Sequence, residues 1–125
     1  MKYWDKNSLE LIDKADDLHI APYREDGKTT GTPTWIWEVV VDNELYVRAY
    51  YGQNSRWYQA AIKQKSGLIK AAGSIYDVIF ETVDDAALNA KIDAAYTRKY
   101  TNSPYLAHML QNSTKAATIK ILKTA

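Results

Sequence analysis

From Trp35 to Tyr51 the chain follows the two-residue period of extended backbone, interrupted by Asp42-Asn43. Both flanks are rich in β-branched and aromatic residues, the composition of strands. Asp and Asn tolerate the positive φ of a two-residue hairpin turn, so the pattern predicts strand, tight turn, strand. That turn places Val41 opposite Glu44, Val39 opposite Tyr46, Trp37 opposite Arg48 and Trp35 opposite Tyr50. Side-chain alternation then separates two faces. One carries Ile36, Val40, Leu45, Val47 and Ala49, an apolar core face interrupted by Glu38. The other carries Trp35, Trp37, Val39, Tyr46, Arg48 and Tyr50, flat rings around one guanidinium.

The same patterning predicts the remaining elements. A helix runs to about Ala15, with Asn7 and Glu10 at capping-box spacing. Met1 to Lys6 precede it as a loose lead, with Trp4 as candidate anchor. Asp17 to Arg24 reads as a strand in which Pro22 marks an end or edge, and Glu25 to Lys28 as a turn. After the hairpin, the polar stretch Gly52 to Ser55 leads into a helix from Arg56 to Ser66. Ser55 or Asn54 is its N-cap and Gly67 its C′ residue. Strands follow at Leu68–Ala71 and Ile75–Thr82. An Asp84-capped helix extends to Lys99, with Leu88, Ile92, Ala95 and Tyr96 on its inner face. Ser103-Pro104 starts a short helix ending near Gln111, and Ala117 to Leu122 is the last strand. Six strands joined by short connections predict an antiparallel α+β barrel-like fold.

Composition narrows the function. The 125 residues fit a single domain spanning 1–125, and 46% apolar content is enough for a core. Sixteen basic against fifteen acidic residues leave a net charge of +1, without the basic excess of a nucleic-acid binder. There is no cysteine, and His19 and His108 stand far apart, so no metal-ligand spacing appears. No signal-peptide pattern or membrane-length apolar run is present, which makes a cytoplasmic setting the expectation.

Candidate chemistry concentrates in the hairpin and its loop. The aromatic-plus-arginine face reads either as cross-strand packing or a subunit interface, or as a planar-ligand site with Arg48 holding an anion. A helix N-terminus at Ser55 suits phosphate. Arg56 in its first turn opposes the helix dipole unless an anion lies nearby. His19 reads as a hydrogen-bonded structural histidine or as an acid–base group. Tyr105, Leu106 and Met109 read as packing onto the barrel, or as a border of a cleft. No Ser–His or paired-carboxylate arrangement argues for nucleophilic or acid–base catalysis.

Several stretches resemble the split-barrel flavin-binding proteins, which include pyridoxamine phosphate oxidases and deazaflavin-dependent nitroreductases. They are Asp26-Gly27, Gly31-Thr32-Pro33-Thr34-Trp35, Asp42-x-x-Leu45-Tyr46-Val47-Arg48 and Arg56-Trp57-Tyr58. From about Leu9 to Ile121 the chain is also similar to a bacterial domain family of unknown function placed near them. The residues that carry this include Ala15 to Pro22 and Ser103-Pro104-Tyr105-Leu106. The wider resemblance implies a split barrel that forms a homodimer with FMN or a deazaflavin in the dimer cleft. It implies a phosphate held by Arg48, Ser55 and Arg56, and a ring beside the Thr34–Trp37 strand. The candidate cofactor-binding set is Thr34, Trp35, Trp37, Arg48, Tyr50, Asn54, Ser55, Arg56 and Trp57. Many relatives carry lysine at the Arg56 position and an Asn-Leu pair soon after, where this chain has Gln59-Ala60 or Ala60-Ala61. The resemblance implies an oxidoreductase acting on a small molecule. The departures leave open a non-enzymatic binding or interaction module that has lost the flavin.

Overall fold

Seven antiparallel strands form one sheet in the computed structural model, which describes residues 4–124. The strands are β1 (His19–Pro22), β2 (Thr34–Trp35), β3 (Glu38–Val41), β4 (Glu44–Arg48), β5 (Ser66–Ala71), β6 (Ser74–Thr82) and β7 (Thr118–Lys123), in the order β2-β1-β5-β6-β7-β4-β3. β2 and β3 are opposite edges of this sheet, yet only Ile36 and Trp37 separate them. Three residues of extended chain span no more than about 11 Å, so the edges must approach each other. The sheet is therefore curled into a half-barrel.

This edge switch corrects the expected hairpin. Val41 pairs with Glu44 and Val39 with Tyr46, as the Asp42-Asn43 turn requires, with φ of 51° and 65° at its two residues. Trp37 is not opposite Arg48, nor Trp35 opposite Tyr50. Trp35 pairs with His19 of β1, because the chain leaves one sheet edge there and joins the other. The short β2 also raises the strand number from the expected six to seven.

Both faces of the hairpin are covered. Ile36, Leu45, Val47 and Ala49 join Leu18, Ile20, Ile69, Val78, Ile119 and Ile121 in one apolar cluster. Leu9 and Ile12 of α1 (Lys6–Ala15) and Tyr58 and Ala61 of α2 (Arg56–Gln64) close it. Trp4 also belongs to it, donating its indole N–H to the Ile121 carbonyl at 2.8 Å; Met1 to Tyr3 of the expected lead lie outside the described residues. The opposite face of the hairpin, expected to be an aromatic-plus-arginine surface, is a second core. There Val39, Val41 and Tyr46 pack on Ile92, Ala95 and Tyr96 of α3 (Ala86–Lys99), with Tyr100 and Met109.

Several ends differ from expectation. Asp5, not Asn7, caps α1, accepting from the Ser8 backbone N–H at 3.0 Å and its hydroxyl at 2.8 Å. Asp85, not Asp84, caps α3. The segment after Ser103-Pro104 forms two single turns, α4 (Leu106–Met109) and α5 (Asn112–Lys115), instead of one helix. At the end of α2, Lys65 takes the left-handed position (φ 62°) expected for Gly67. Gly67 serves close packing within β5 instead. A Cβ there would lie 2.6 Å from the Pro22 Cα and 2.7 Å from the Ala21 carbonyl oxygen. Gly67→Ala is expected to cost about 1–3 kcal/mol of stability, measured as a lower urea midpoint, because both obstacles are backbone.

Candidate functional site

The edge switch leaves an opening where β2, the end of β4, the start of α2 and α4 come together. A cavity of about 750 Å³ lies there, within the size range of small-molecule sites. Trp35, Trp37, Tyr50, Tyr51, Tyr105 and Met109 supply its aromatic and apolar lining. Thr34, Ile36, Arg48, Ser55, Arg56 and Trp57 complete the lining. Of the candidate residues, all except Asn54 meet around this space. Asn54 sits exposed in a 3₁₀ turn (Gly52–Asn54) just before α2.

Two backbone hydrogen bonds and one from a side chain fix the loop that carries the polar end. The Ala49 N–H donates to Ala117 O at 3.2 Å, the Gly52 N–H to Ala49 O at 2.9 Å, and Gln53 Nε2 to Ala116 O at 3.2 Å. Gly52 adopts φ 73°, a conformation suited to glycine, and a Cβ there would stand 3.2 Å from the Ser113 carbonyl oxygen.

Arg48 reaches the cavity from the floor but spends its donors on the protein. Nε–H donates to Thr118 Oγ1 (3.0 Å), and Nη1 to Asp93 Oδ1 (2.6 Å) and Met109 O (3.1 Å). Nη2 donates to Asn89 Oδ1 (3.0 Å) and Asn89 O (3.3 Å). A guanidinium has five N–H donors, and these five acceptors use them all. The side chain is fully buried and lies 5.4 Å from the Tyr96 ring centroid. Asp93 also pairs with Lys115 at 2.9 Å.

The start of α2 is different. Ser55 is the N-cap by backbone geometry, but its side chain makes no capping hydrogen bond. Arg56 is exposed, and none of the ion pairs among the described residues includes it. No Asp or Glu lines the cavity. Arg56 is thus the one lining cation without an internal counter-charge.

Two histidines flank this region in different ways. His108 stacks on Tyr50 at 3.9 Å between ring centroids, and its Nε2 lies 2.5 Å from Tyr50 O, fixing that part of the wall. His19 Nδ1 contacts Asp17 O at 2.9 Å and does not line the cavity.

Behind Trp37 lies an ionic cluster the sequence did not reveal. Trp37 stacks flat on Tyr100, with centroids 3.9 Å apart and planes 3° from parallel. The Tyr100 hydroxyl donates to Asp16 Oδ1 at 2.5 Å and accepts from the Glu38 N–H at 3.3 Å. Glu38 is fully buried; Lys99 Nζ lies 2.5 Å from its Oε1, and its Oε2 has no hydrogen-bond partner. Burial pushes the Glu38 carboxyl up from 4.5 to about 7, although Lys99 pulls in the opposite direction. The same burial drives the Tyr100 hydroxyl strongly upward.

The candidate cofactor-binding set lacks four of the lining residues, Ile36, Tyr51, Tyr105 and Met109. Tyr105 stood in the Ser103-Pro104-Tyr105-Leu106 stretch but was read mainly as packing. Nothing in the local pattern marked the Glu38–Lys99 pairing, which spans 61 positions.

Residues 8–121 match the model of a family described as an uncharacterized protein conserved in bacteria, DUF2255. The chain belongs to this family. No curated protein matches it. Among solved structures, the DUF2255 chain is similar to the conserved hypothetical protein Rv2991 from Mycobacterium tuberculosis, with TM-score 0.64 and 12% identity. That match covers 99% of this chain and 82% of the other. A pyridoxamine 5′-phosphate oxidase-like protein from Listeria innocua aligns with TM-score 0.61 and 7% identity, over 94% and 90% of the two chains. ChuZ from Campylobacter jejuni aligns with TM-score 0.68 and 11% identity, over 94% of this chain but 51% of its own. At these identities the likeness is one of fold: the DUF2255 chain has the split-barrel architecture. Among the described residues no helix is long and apolar enough to cross a membrane, and no group of three or more ligating side chains is placed to hold a metal ion.

Proposed function

We propose that the cleft binds a planar, phosphate-bearing cofactor of the riboflavin 5′-phosphate or deazaflavin type, and that the protein is an oxidoreductase acting on a small molecule. The observation that carries this is the pairing of aromatic walls with a single uncommitted cation. Trp35, Trp37 and Tyr50 offer flat surfaces, and Arg56 stands beside an N-cap serine whose hydroxyl is not used on the helix. Those residues fit the group: an anion at the α2 N-terminus would meet Arg56, Ser55 and the positive end of the helix dipole. Arg48 then serves as the rigid floor, leaving the phosphate to Ser55 and Arg56. The bound cofactor would supply the hydride chemistry, and the chain would bind it, orient it and exclude water.

The exposed rims, Trp35 at 52%, Tyr51 at 78% and Tyr105 at 58%, support a homodimer in which a second copy covers the cleft. A second reading is a small-molecule-binding module without redox activity. It is favoured by one observation: the lining contains no Asp, Glu, His or Lys to act as a proton donor or acceptor.

Titration with riboflavin 5′-phosphate tests the phosphate assignment. Arg56→Glu is expected to weaken binding on the order of tenfold or more, the scale of a lost charge-assisted hydrogen bond. Riboflavin, which lacks the phosphate, should bind the wild type and the variant alike. Equal affinity of both proteins for riboflavin 5′-phosphate would remove Arg56 from the site.

A further inference from the structure

We propose that Glu38 and Lys99 act as a proton-operated latch on the Trp37 wall of the cleft, with Tyr100 as the positioning residue that transmits it. The link to ligand uptake rests on the cleft reading above; the latch itself is a property of the ligand-free chain.

The geometry supplies each connection. Lys99 Nζ has three carboxylate neighbours: Glu38 Oε1 at 2.5 Å, Asp13 Oδ1 at 3.1 Å and Asp16 Oδ1 at 3.8 Å. Asp16 Oδ1 is also the acceptor of the Tyr100 hydroxyl. One oxygen is therefore shared between the lysine that holds Glu38 and the tyrosine that holds Trp37. While Glu38 is ionised, it keeps Lys99 away from Asp16, and Tyr100 has that oxygen as its own strong acceptor. When Glu38 takes up a proton, its attraction for Lys99 falls, and the ammonium, still donating to the Glu38 backbone carbonyl at 3.0 Å, swings towards the α1 carboxylates. It then competes for Asp16 Oδ1, and the Tyr100 hydroxyl, left with the weaker Glu38 backbone contacts (N–H at 3.3 Å, O at 3.2 Å), holds its ring less firmly against Trp37.

Every charged or titratable group packed about Glu38 enters this balance. Lys99, Tyr100 and Tyr96 come from α3 and its end, and Asp13 and Asp16 from α1 and its C-cap. Across the β3–β4 pairing Glu38 faces uncharged Val47. Arg98 lines a shallow cavity of about 320 Å³ with Asp13 and Lys99. The orphan Oε2 provides the place for the proton. The upward displacement of the Glu38 carboxyl to about 7 puts the change near neutrality. Trp37 itself is held by backbone as well as stacking, since the Tyr96 hydroxyl donates to Trp37 O at 3.4 Å. The expected motion is thus a reorientation of the ring and not a loss of the strand.

Carbon-13 and proton NMR of the full ligand-free chain tests the latch. The Glu38 carboxyl carbon and the Trp37 ring signals are expected to shift with one common midpoint near neutrality. Glu38→Gln should abolish the Trp37 shift. Tyr100→Phe, which keeps the ring and removes the hydroxyl, should leave the Glu38 titration in place and again abolish the Trp37 shift. A Trp37 signal that stays still while wild-type Glu38 titrates would overturn the proposal, a result that needs no variant. So would a Trp37 shift that persists in Tyr100→Phe. Affinity for riboflavin 5′-phosphate should fall on acidification through the same midpoint in the wild type and stay level in Glu38→Gln. Absence of binding at every pH would count against the cleft reading, and the NMR result would still decide the latch.

Discussion

Arg48→Ala is expected to lose about 3–5 kcal/mol of stability, the cost of removing one partner of a buried ion pair. The guanidinium is fully buried, and its removal strands acceptors on three elements: Thr118 on β7, Asn89 and Asp93 on α3, and the Met109 carbonyl on α4. Arg48→Lys should recover little of this, because three donors on a flexible stem cannot replace a planar fork of five. Asp93→Asn should cost less, since Asp93 is partly exposed. Urea denaturation followed by far-ultraviolet circular dichroism measures all three. An Arg48 with donors to spare for a phosphate would behave as a surface residue, where substitutions usually stay within about 0.5 kcal/mol. Flavin uptake by Arg48→Ala should also fall, but as a consequence of a disordered floor.

Stability is expected to decline as pH rises from about 4.5 to about 7, and Glu38 supplies the slope. The folded chain holds the Glu38 proton more tightly than the unfolded chain does. Its contribution is therefore fully present below 4.5 and lost as pH rises through the folded value. A displacement of this size corresponds to roughly 3 kcal/mol across that window. Glu38→Gln, which cannot ionise, should remove that part of the slope. Urea midpoints across the pH range give the answer, and a wild-type curve no steeper than the variant's would contradict the assignment. Greater stability at acid pH and a looser Trp37 wall are compatible. The first reflects the lower cost of burying a neutral carboxyl, the second a local redistribution of Lys99.

The period of the chain was a good guide to local structure and a poor one to partners across the fold. Asp42-Asn43 announced the turn and the β3–β4 register, and the Leu45, Val47, Ala49 face proved to be core. The strand pattern from Trp35 to Val41 looked continuous because Ile36 and Trp37 keep the alternation while the backbone changes sheet edge. Propensity carries no record of which neighbour a strand will find, so Trp35 was placed opposite Tyr50 instead of His19. The cleft nevertheless emerged around the predicted aromatic residues, because the edge switch brings Trp35, Trp37 and Tyr50 to one opening. Arg48 shows the opposite case. A lone arginine among rings looks available in a sequence, and only the arrival of Asn89, Asp93 and Thr118 from distant elements shows it to be engaged. Helix caps failed by one or two positions where neighbouring acidic or amide residues competed, as with Asp5 against Asn7 and Asp85 against Asp84.

If the aromatic cleft takes a planar anionic cofactor, the protein should retain one after loading. The most direct measurement is a visible absorption spectrum of the protein after loading with riboflavin 5′-phosphate, and separately with a deazaflavin, and removal of the excess. A retained cofactor band, lost in Arg56→Glu while the variant stays folded, is the expected result. Complete loss of both cofactors from folded wild-type protein would contradict the claim.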